Sequence, residues 1–298
     1  MLGADNTADV KPPLPAVRSL KSISTAAALH LDLGLDPYAS FFAVGKKIST
    51  RKAFGYALAT LGRRSDKVFA LDGDVSNSTF TELFQKDCPD RFIQCFIAEQ
   101  NMVGVATGLA LRGKVPFAST FGAFFTRCYD QVRMAGVGRV PLRLCGSHSG
   151  VSIGQDGPSQ MGLEDLGMMR AVPQSVVLWP SDGISAYKLV EQMARYADGI
   201  SYLKTTRGDT PLLYKPDETF TVGGCKVLRS TGADKACIVA AGITVHEALD
   251  AHRRLQEQGV SVAVIDLYSI KPLDAATLIK VSAAAGNRVI TVEDHYPE

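Results

Sequence analysis

The chain has 298 residues, 46% of them apolar, with 32 basic and 30 acidic side chains and a net charge of +2. This length suggests about two domains with buried cores, and the even charge gives no electrostatic case for nucleic acid or a membrane surface as partner. No apolar run approaches the ~20 residues a membrane span needs, and the opening MLGADNTADVKPPLPAV has no basic region leading into an apolar one, so neither membrane insertion nor a secretory signal is expected.

Residues 1–45 read as a poorly defined linker. KPPLP is a turn or extended piece, and STAAALHLDLGL suits a short helix. From Ser49 the pattern becomes regular. STRKAFGYALATLGRR offers a cap residue and then apolar residues at helical spacing. KVFALDGD is a short apolar run ending in turn residues, which predicts a buried parallel strand. TFTELFQK is a short helix, RFIQCFIA a strand, and residues 100–111 a helix. KVPFAST predicts a strand, FFTRCYDQVRMAGV a helix, and PLRLCGS a strand before a Gly-rich loop that reaches Gln160. QSVVLWPSDG, ISAYKLVEQMARYA and GISYLKTTRGD complete the pattern as strand, helix and strand. This alternation predicts an α/β domain over 46–215 with a parallel sheet covered on both faces.

YKPDETFTVGG reads as a boundary, with Pro216, Gly223 and Gly224 in a polar stretch. A second α/β domain is expected over 222–298. It holds the strands ACIVAAG, VSVAVIDLYS and NRVITVED and the helices TVHEALDAHRRLQEQG and DAATLIKVSAAAG. Right-handed crossovers would put both helices on one face of a three-strand sheet and leave the other face bare. This domain is therefore expected to be incomplete, either as a fragment or with a partner chain as cover. Six scattered cysteines with no C-x-x-C pair predict free thiols and a reduced, cytoplasmic protein.

Parallel α/β sheets bind ligands outside the carboxyl ends of their strands. Polar clusters follow five consecutive strands here: LDGDVSNST, AEQ, STFGAFF, GSHSGVSIGQDGPSQ and TTRGD. Each has a plain reading. Glu99 suits a helix start, where the macrodipole favours an acid. Asp156 before Gly157-Pro158 suits a turn. Phe121 and Phe124 suit a core, Arg207 a solvated surface, and His148 a loop. His246 and His252 read as structural or solvated. Five clusters at consecutive strand ends nevertheless mark the place where one shared site would be assembled.

STRKAFGYAL, LDGDVSNSTF, FIAEQNM, STFGAFFTRCYDQVRMA, GSHSGVSIGQDGPSQM and VEDHYPE resemble the transketolase family in its animal-like form, from about Lys46 to the last residue. The resemblance implies the family's pyrimidine-binding domain, which binds part of thiamine diphosphate, followed by a truncated C-terminal three-layer α/β domain. It implies that Glu99 is the acid that exchanges a proton with N1′ of the cofactor's aminopyrimidine ring, in an apolar setting. Phe121 and Phe124 match the aromatic wall around that ring. Arg51, Ser78, His148 and Arg207 match phosphate-binding residues for a sugar-phosphate substrate. Asp156 matches the acid that reads a substrate hydroxyl next to the reacting carbon. His295 lies in the VEDHYPE motif and receives no role.

The family's diphosphate and metal site uses a Gly-Asp-Gly motif in an N-terminal domain, and no such tripeptide occurs here. No metal ligand is therefore assigned, and a divalent metal (Mg or Ca) is expected only through that N-terminal section. The resemblance implies two-carbon ketol transfer in the pentose phosphate pathway, with each active site shared between two subunits. A homodimer, or pairing with an N-terminal section, is the expected assembly. Two alternatives stand beside it. One is a β-type subunit of a thiamine-dependent 2-oxoacid dehydrogenase, and the other is a non-catalytic truncated partner of a full transketolase.

Overall fold

The short apolar runs become strands of two larger sheets, beside a two-stranded antiparallel pair (Lys47–Ser49 with Asp209–Pro211), in the computed structural model, which describes residues 28–29, 31–43 and 45–296. The chain enters through β1 (Lys47–Ser49) and α1 (Thr50–Arg64), then β2 (Val68–Asp72), α2 (Ser76–Thr79), α3 (Glu82–Asp87) and β3 (Phe92–Gln94). Next come α4 (Glu99–Leu111), β4 (Val115–Phe121), a 3-10 turn (Gly122–Cys128), α5 (Tyr129–Val137) and β5 (Arg143–Ser147). A second 3-10 turn (Val151–Asp156) precedes α6 (Asp165–Ala171), β6 (Val176–Leu178), α7 (Gly183–Arg195), β7 (Ser201–Lys204) and β8 (Asp209–Pro211). The last part holds β9 (Lys226–Arg229), β10 (Cys237–Ala240), α8 (Thr244–Glu257), β11 (Ala263–Asp266), β12 (Ser269–Lys271), α9 (Ala275–Ala284) and β13 (Val289–Val292).

The main sheet runs in the order β12-β6-β7-β5-β4-β2-β3. All neighbours are parallel except β12, which lies antiparallel to β6. Both faces are covered, as the apolar strands require. Residues of α1, α3 and α7 bury one face, and those of α4, α5 and α6 bury the other. The chain steps from β2 outward to β3 and then returns across β2 to β4. Strand order therefore reverses at β2, and the crevice beyond the carboxyl ends of β2 and β4 is the place where such sheets bind ligands.

Three expectations need correction. The helix expected over 124–137 begins as the 3-10 turn, and regular helix starts only at Tyr129. The strand expected over 91–98 ends at Gln94, and Phe96 adopts φ 53°. The helix expected in STAAALHLDLGL falls partly outside the described residues, and 31–35 are irregular. Residues 31–43 pack on the core, with Leu33 and Phe42 fully buried.

The second sheet also differs from expectation. It has four strands in the order β13-β10-β11-β9, with β9 antiparallel to β11. The chain moves from β10 to β11 in one direction and returns past β10 to β13. Right-handed crossovers then put the two helices on opposite faces. Val245 and Ala248 of α8 pack with Ile238 and Val264, whereas Leu278 and Val281 of α9 pack with Val239 and Ile265. The bare face expected from a sequential strand order is thus covered by α9. The strand order assumed from the sequence was at fault.

The two sheets are stitched together. β12 leaves the second unit to extend the first sheet, and Lys271 Nζ donates to the carbonyls of Arg170 and Val172 at 2.8 and 2.6 Å. Asp182 caps α7, accepting from Ser185 N at 2.7 Å through Oδ1, while Oδ2 accepts from Leu213 N and Tyr214 N at 2.7 and 3.1 Å. Deeper in the first sheet lies a fully buried ion pair. Lys204 Nζ donates to Asp165 Oδ1 at 2.9 Å and sits 4.6 Å from the centre of a Trp179 ring, and Tyr202 donates to Asp165 Oδ2 at 2.6 Å. His246 and His252 are structural: each bonds a backbone carbonyl, of Ser181 at 2.8 Å and of Val262 at 2.9 Å. All six cysteines are free.

Candidate active site

Glu99 is the first residue of α4 and is only 3% exposed. A plain capping acid would accept from a free amide of its helix, yet among the described residues the Glu99 side chain accepts from no backbone amide. Its partner is Arg127, which donates to Oε2 at 3.1 Å and also to the carbonyl of Ile97 at 2.9 Å. The setting is therefore not wholly apolar, a correction to the sequence reading. The cause is the 3-10 turn after β4, which swings Arg127 back over the start of α4. Sequence reading missed Arg127, although its position three residues after Phe124 puts both on one turn.

That turn joins the acid to a column of flat rings. Phe124 stacks on Phe121 with centroids 5.0 Å apart, and Phe121 stacks on His148 at 3.9 Å, both pairs tilted by only 15°. Phe121 is buried and Phe124 half-buried. Phe121 ends β4 and His148 follows β5, so the parallel register of these neighbouring strands puts the two rings together. His148 takes φ 55°, a backbone state that a side-chain-bearing residue adopts rarely.

The charged residues meet on the far side of His148. Thr206 N donates to Thr50 Oγ1 at 2.9 Å, tying the start of α1 to the segment after β7. This brings Arg51 beside Arg207. Arg51 donates through Nε to the carbonyl of Arg207 at 3.2 Å and through Nη1 to the carbonyl of Ser78 at 2.9 Å, with Phe80 beneath its guanidinium. Ser78 thus engages Arg51 by its backbone, and its hydroxyl has no hydrogen bond among the described residues. Arg207 Nε lies 3.1 Å from Asp156 Oδ2, and the same oxygen is 3.8 Å from His148 Nε2. Glu99 and Arg127 form one end, the rings the middle, and Arg51, Arg207 and Asp156 the other end. A hollow lined by Leu163, Met168, His295 and Tyr296 lies elsewhere and contains none of these residues.

Burial, with help from Arg51 and Arg207 and against the opposing pull of Asp156, pushes the His148 imidazole down from 6.5 to about 4. His148 is therefore neutral at pH 7. Its folded form binds a proton more weakly than its unfolded form. This stabilising contribution is complete above pH 6.5 and is lost as pH falls from 6.5 through about 4. The loss is about 3 kcal/mol at most. NMR titration of the ring protons is expected to show His148 uncharged at pH 6, and a midpoint near 6.5 would contradict this arrangement.

Two family profiles match the amino-acid sequence. Transketolase, pyrimidine binding domain, matches residues 46–211, and Transketolase, C-terminal domain, matches 223–298. The chain belongs to the transketolase family. Transketolase-like protein 1 of Bos taurus is 53% identical over 258 residues, which are 86% of this chain and 43% of that protein. Transketolase of Mus musculus is 52% identical over 258 residues, 86% of this chain and 41% of that protein. The chain thus spans about two fifths of the length of these curated relatives. Among solved structures, a split-gene transketolase described as an inactive β4 tetramer superposes with a TM-score of 0.75 at 36% identity, over 83% of this chain and 80% of that one. Transketolase from Leishmania mexicana shares the fold, with a TM-score of 0.74 at 23% identity over 88% of this chain and 41% of that one. The transketolase family depends on thiamine diphosphate.

Proposed function

We propose that this chain supplies the pyrimidine-side half of a transketolase active site and, with a diphosphate-binding section, transfers a two-carbon ketol unit from a ketose phosphate to an aldose phosphate. The observation that carries the reading is Glu99. It is a buried acid at a helix start that caps no amide among the described residues, tied by Arg127 to the turn bearing Phe124. A flat ring column beside a carboxylate suits a flat heterocycle with a basic ring nitrogen. When bound, thiamine diphosphate supplies the carbon nucleophile that takes up the ketol unit. Glu99 holds and exchanges a proton at the pyrimidine nitrogen, and Phe121 and Phe124 orient the ring.

At the other end, Arg51 and Arg207 provide guanidinium forks that suit a sugar phosphate. His148 adds a neutral N–H, and Ser78 a hydroxyl that is free to donate. Asp156 receives a substrate hydroxyl near the bond that breaks. Magnesium or another divalent metal belongs with the diphosphate section, and the family resemblance implies a site shared between two subunits. The split-gene relative described as inactive has nearly the extent of this chain, which supports an isolated chain without turnover. The free cysteines and the lack, among the described residues, of any helix long and apolar enough to cross a membrane fit a cytoplasmic enzyme of sugar-phosphate metabolism, with the pyrimidine domain over 46–215 and the C-terminal domain over 222–298.

The two substrate roles separate in kinetics. In the enzyme assembled with a diphosphate-binding section, Arg207→Ala is expected to raise KM for phosphorylated donors about 10-fold or more, with a smaller effect on unphosphorylated ones through its lost contact with Asp156. Asp156→Ala is expected to weaken the preference for the correct hydroxyl stereochemistry instead. An equal penalty on both sugar types would remove the phosphate role from Arg207.

A further inference from the structure

The segment Val151–Asp156 is a pair of 3-10 turns kinked at Gly154 (φ 71°, ψ −114°), with Asp156 as its last residue. Its base is closed by Gly150 N, which donates to the carbonyl of Gly162 at 2.9 Å. Its first turn is held from the other sheet. Asp294, just after β13, accepts from Val151 N at 2.8 Å through Oδ1 and from Ser152 Oγ at 2.9 Å through Oδ2. Asp294 is only 5% exposed, and Gly150 sits at φ 92° against it. A Cβ on Gly150 would run into Asp294 Oδ2, so the glycine lets the carboxylate reach both donors.

We infer that Asp294 is a positioning residue: by clamping the start of this turn it sets where Asp156 stands against Arg207 and His148. Asp294 holds the front of the turn beside the Gly150–Gly162 bond, and Arg207 lies against Asp156 at the back. A carboxylate accepting a backbone amide and a hydroxyl makes two charge-assisted bonds, stronger than neutral ones. Releasing them leaves the Val151 amide without its partner and frees a loop containing Gly150, Gly154 and Gly157, all at positive φ. Catalytic and substrate-reading groups lose function when displaced by about 1 Å. The second sheet thus acts on the substrate end of the site without touching substrate.

Hydrogen–deuterium exchange on the full chain tests this. Asp294→Ala is expected to speed exchange in peptides covering 149–157 by about 10-fold or more, leaving 99–111 unchanged. Asp294→Asn keeps an acceptor for the Val151 amide and is expected to recover most of the protection. Ser152→Ala, which removes one of the two bonds with little disturbance to folding, is expected to give a smaller acceleration in the same peptides. Unchanged exchange in Asp294→Ala, or the same loss in Asp294→Asn, would overturn the inference. A second arm rests on the proposed function. In the assembled enzyme, Asp294→Ala is expected to flatten donor stereochemical preference as Asp156→Ala does, and the double variant to add nothing. Equal slowing of all donors would show a merely structural role and overturn the positioning claim. An assembly with no turnover even in the wild-type chain would sink the proposed function, while the exchange result still decides the role of Asp294.

Discussion

Glu99→Ala in the assembled enzyme is expected to lower ketol transfer by about 10²–10⁴-fold, the usual effect of losing one general acid–base group. The fold should survive, because among the described residues Glu99 makes no capping bond, and its partner Arg127 is half-exposed and keeps its bond to the carbonyl of Ile97. Glu99→Gln sharpens the test. The amide fills the same space and can still accept from Arg127, but it cannot trade a proton. An equal loss in both variants assigns the effect to proton exchange and not to packing. Turnover is measured at saturating cofactor, with circular dichroism to check the fold. Near-normal turnover in Glu99→Gln would return this acid to a role at the helix start.

The largest expected effect on stability lies away from the reaction. Lys204 and Asp165 are fully buried and paired at 2.9 Å. Lys204→Met strips Asp165 of its counter-charge and, among the described residues, leaves the Tyr202 hydroxyl alone bonded to its side chain. Breaking one side of a buried pair costs roughly 3–5 kcal/mol. Replacing both partners with groups of similar shape removes the orphaned charge, so Lys204→Met with Asp165→Asn is expected to recover much of the loss. Urea unfolding followed by fluorescence and circular dichroism reads both variants. A loss below about 1 kcal/mol in the single variant would show that Asp165 finds another partner.

The site was more legible in the sequence than the second sheet was. Runs such as KVFALDGD and PLRLCGS end where the strand ends, so the polar residues after them fall on one edge of the sheet. That is why Phe121 and His148, 27 positions apart in sequence, could be expected at one place. Arg51 and Arg207 also come together, but through the Thr50–Thr206 bond, which no local pattern encodes. The same holds for Asp294, 143 residues from Val151. Hydrophobic period reveals which segments are strands but not their order. The return of β13 past β10 was therefore invisible, and with it the cover that α9 provides. β9 was missed because a half-exposed edge strand of four residues, KVLR, carries too little apolar pattern.

This chain is proposed to carry the pyrimidine half of a shared cofactor site. Calorimetry with thiamine diphosphate and magnesium tests it most directly, using the chain alone, the chain with a transketolase diphosphate-binding section, and the Glu99→Ala chain with that section. Weak binding is expected from the chain alone. Tight, magnesium-dependent binding is expected from the assembly, beyond what the added section gives by itself, and a reduced value with Glu99→Ala. Tight, metal-dependent binding by the isolated chain, or an assembly that binds no better than the added section alone, would contradict the account.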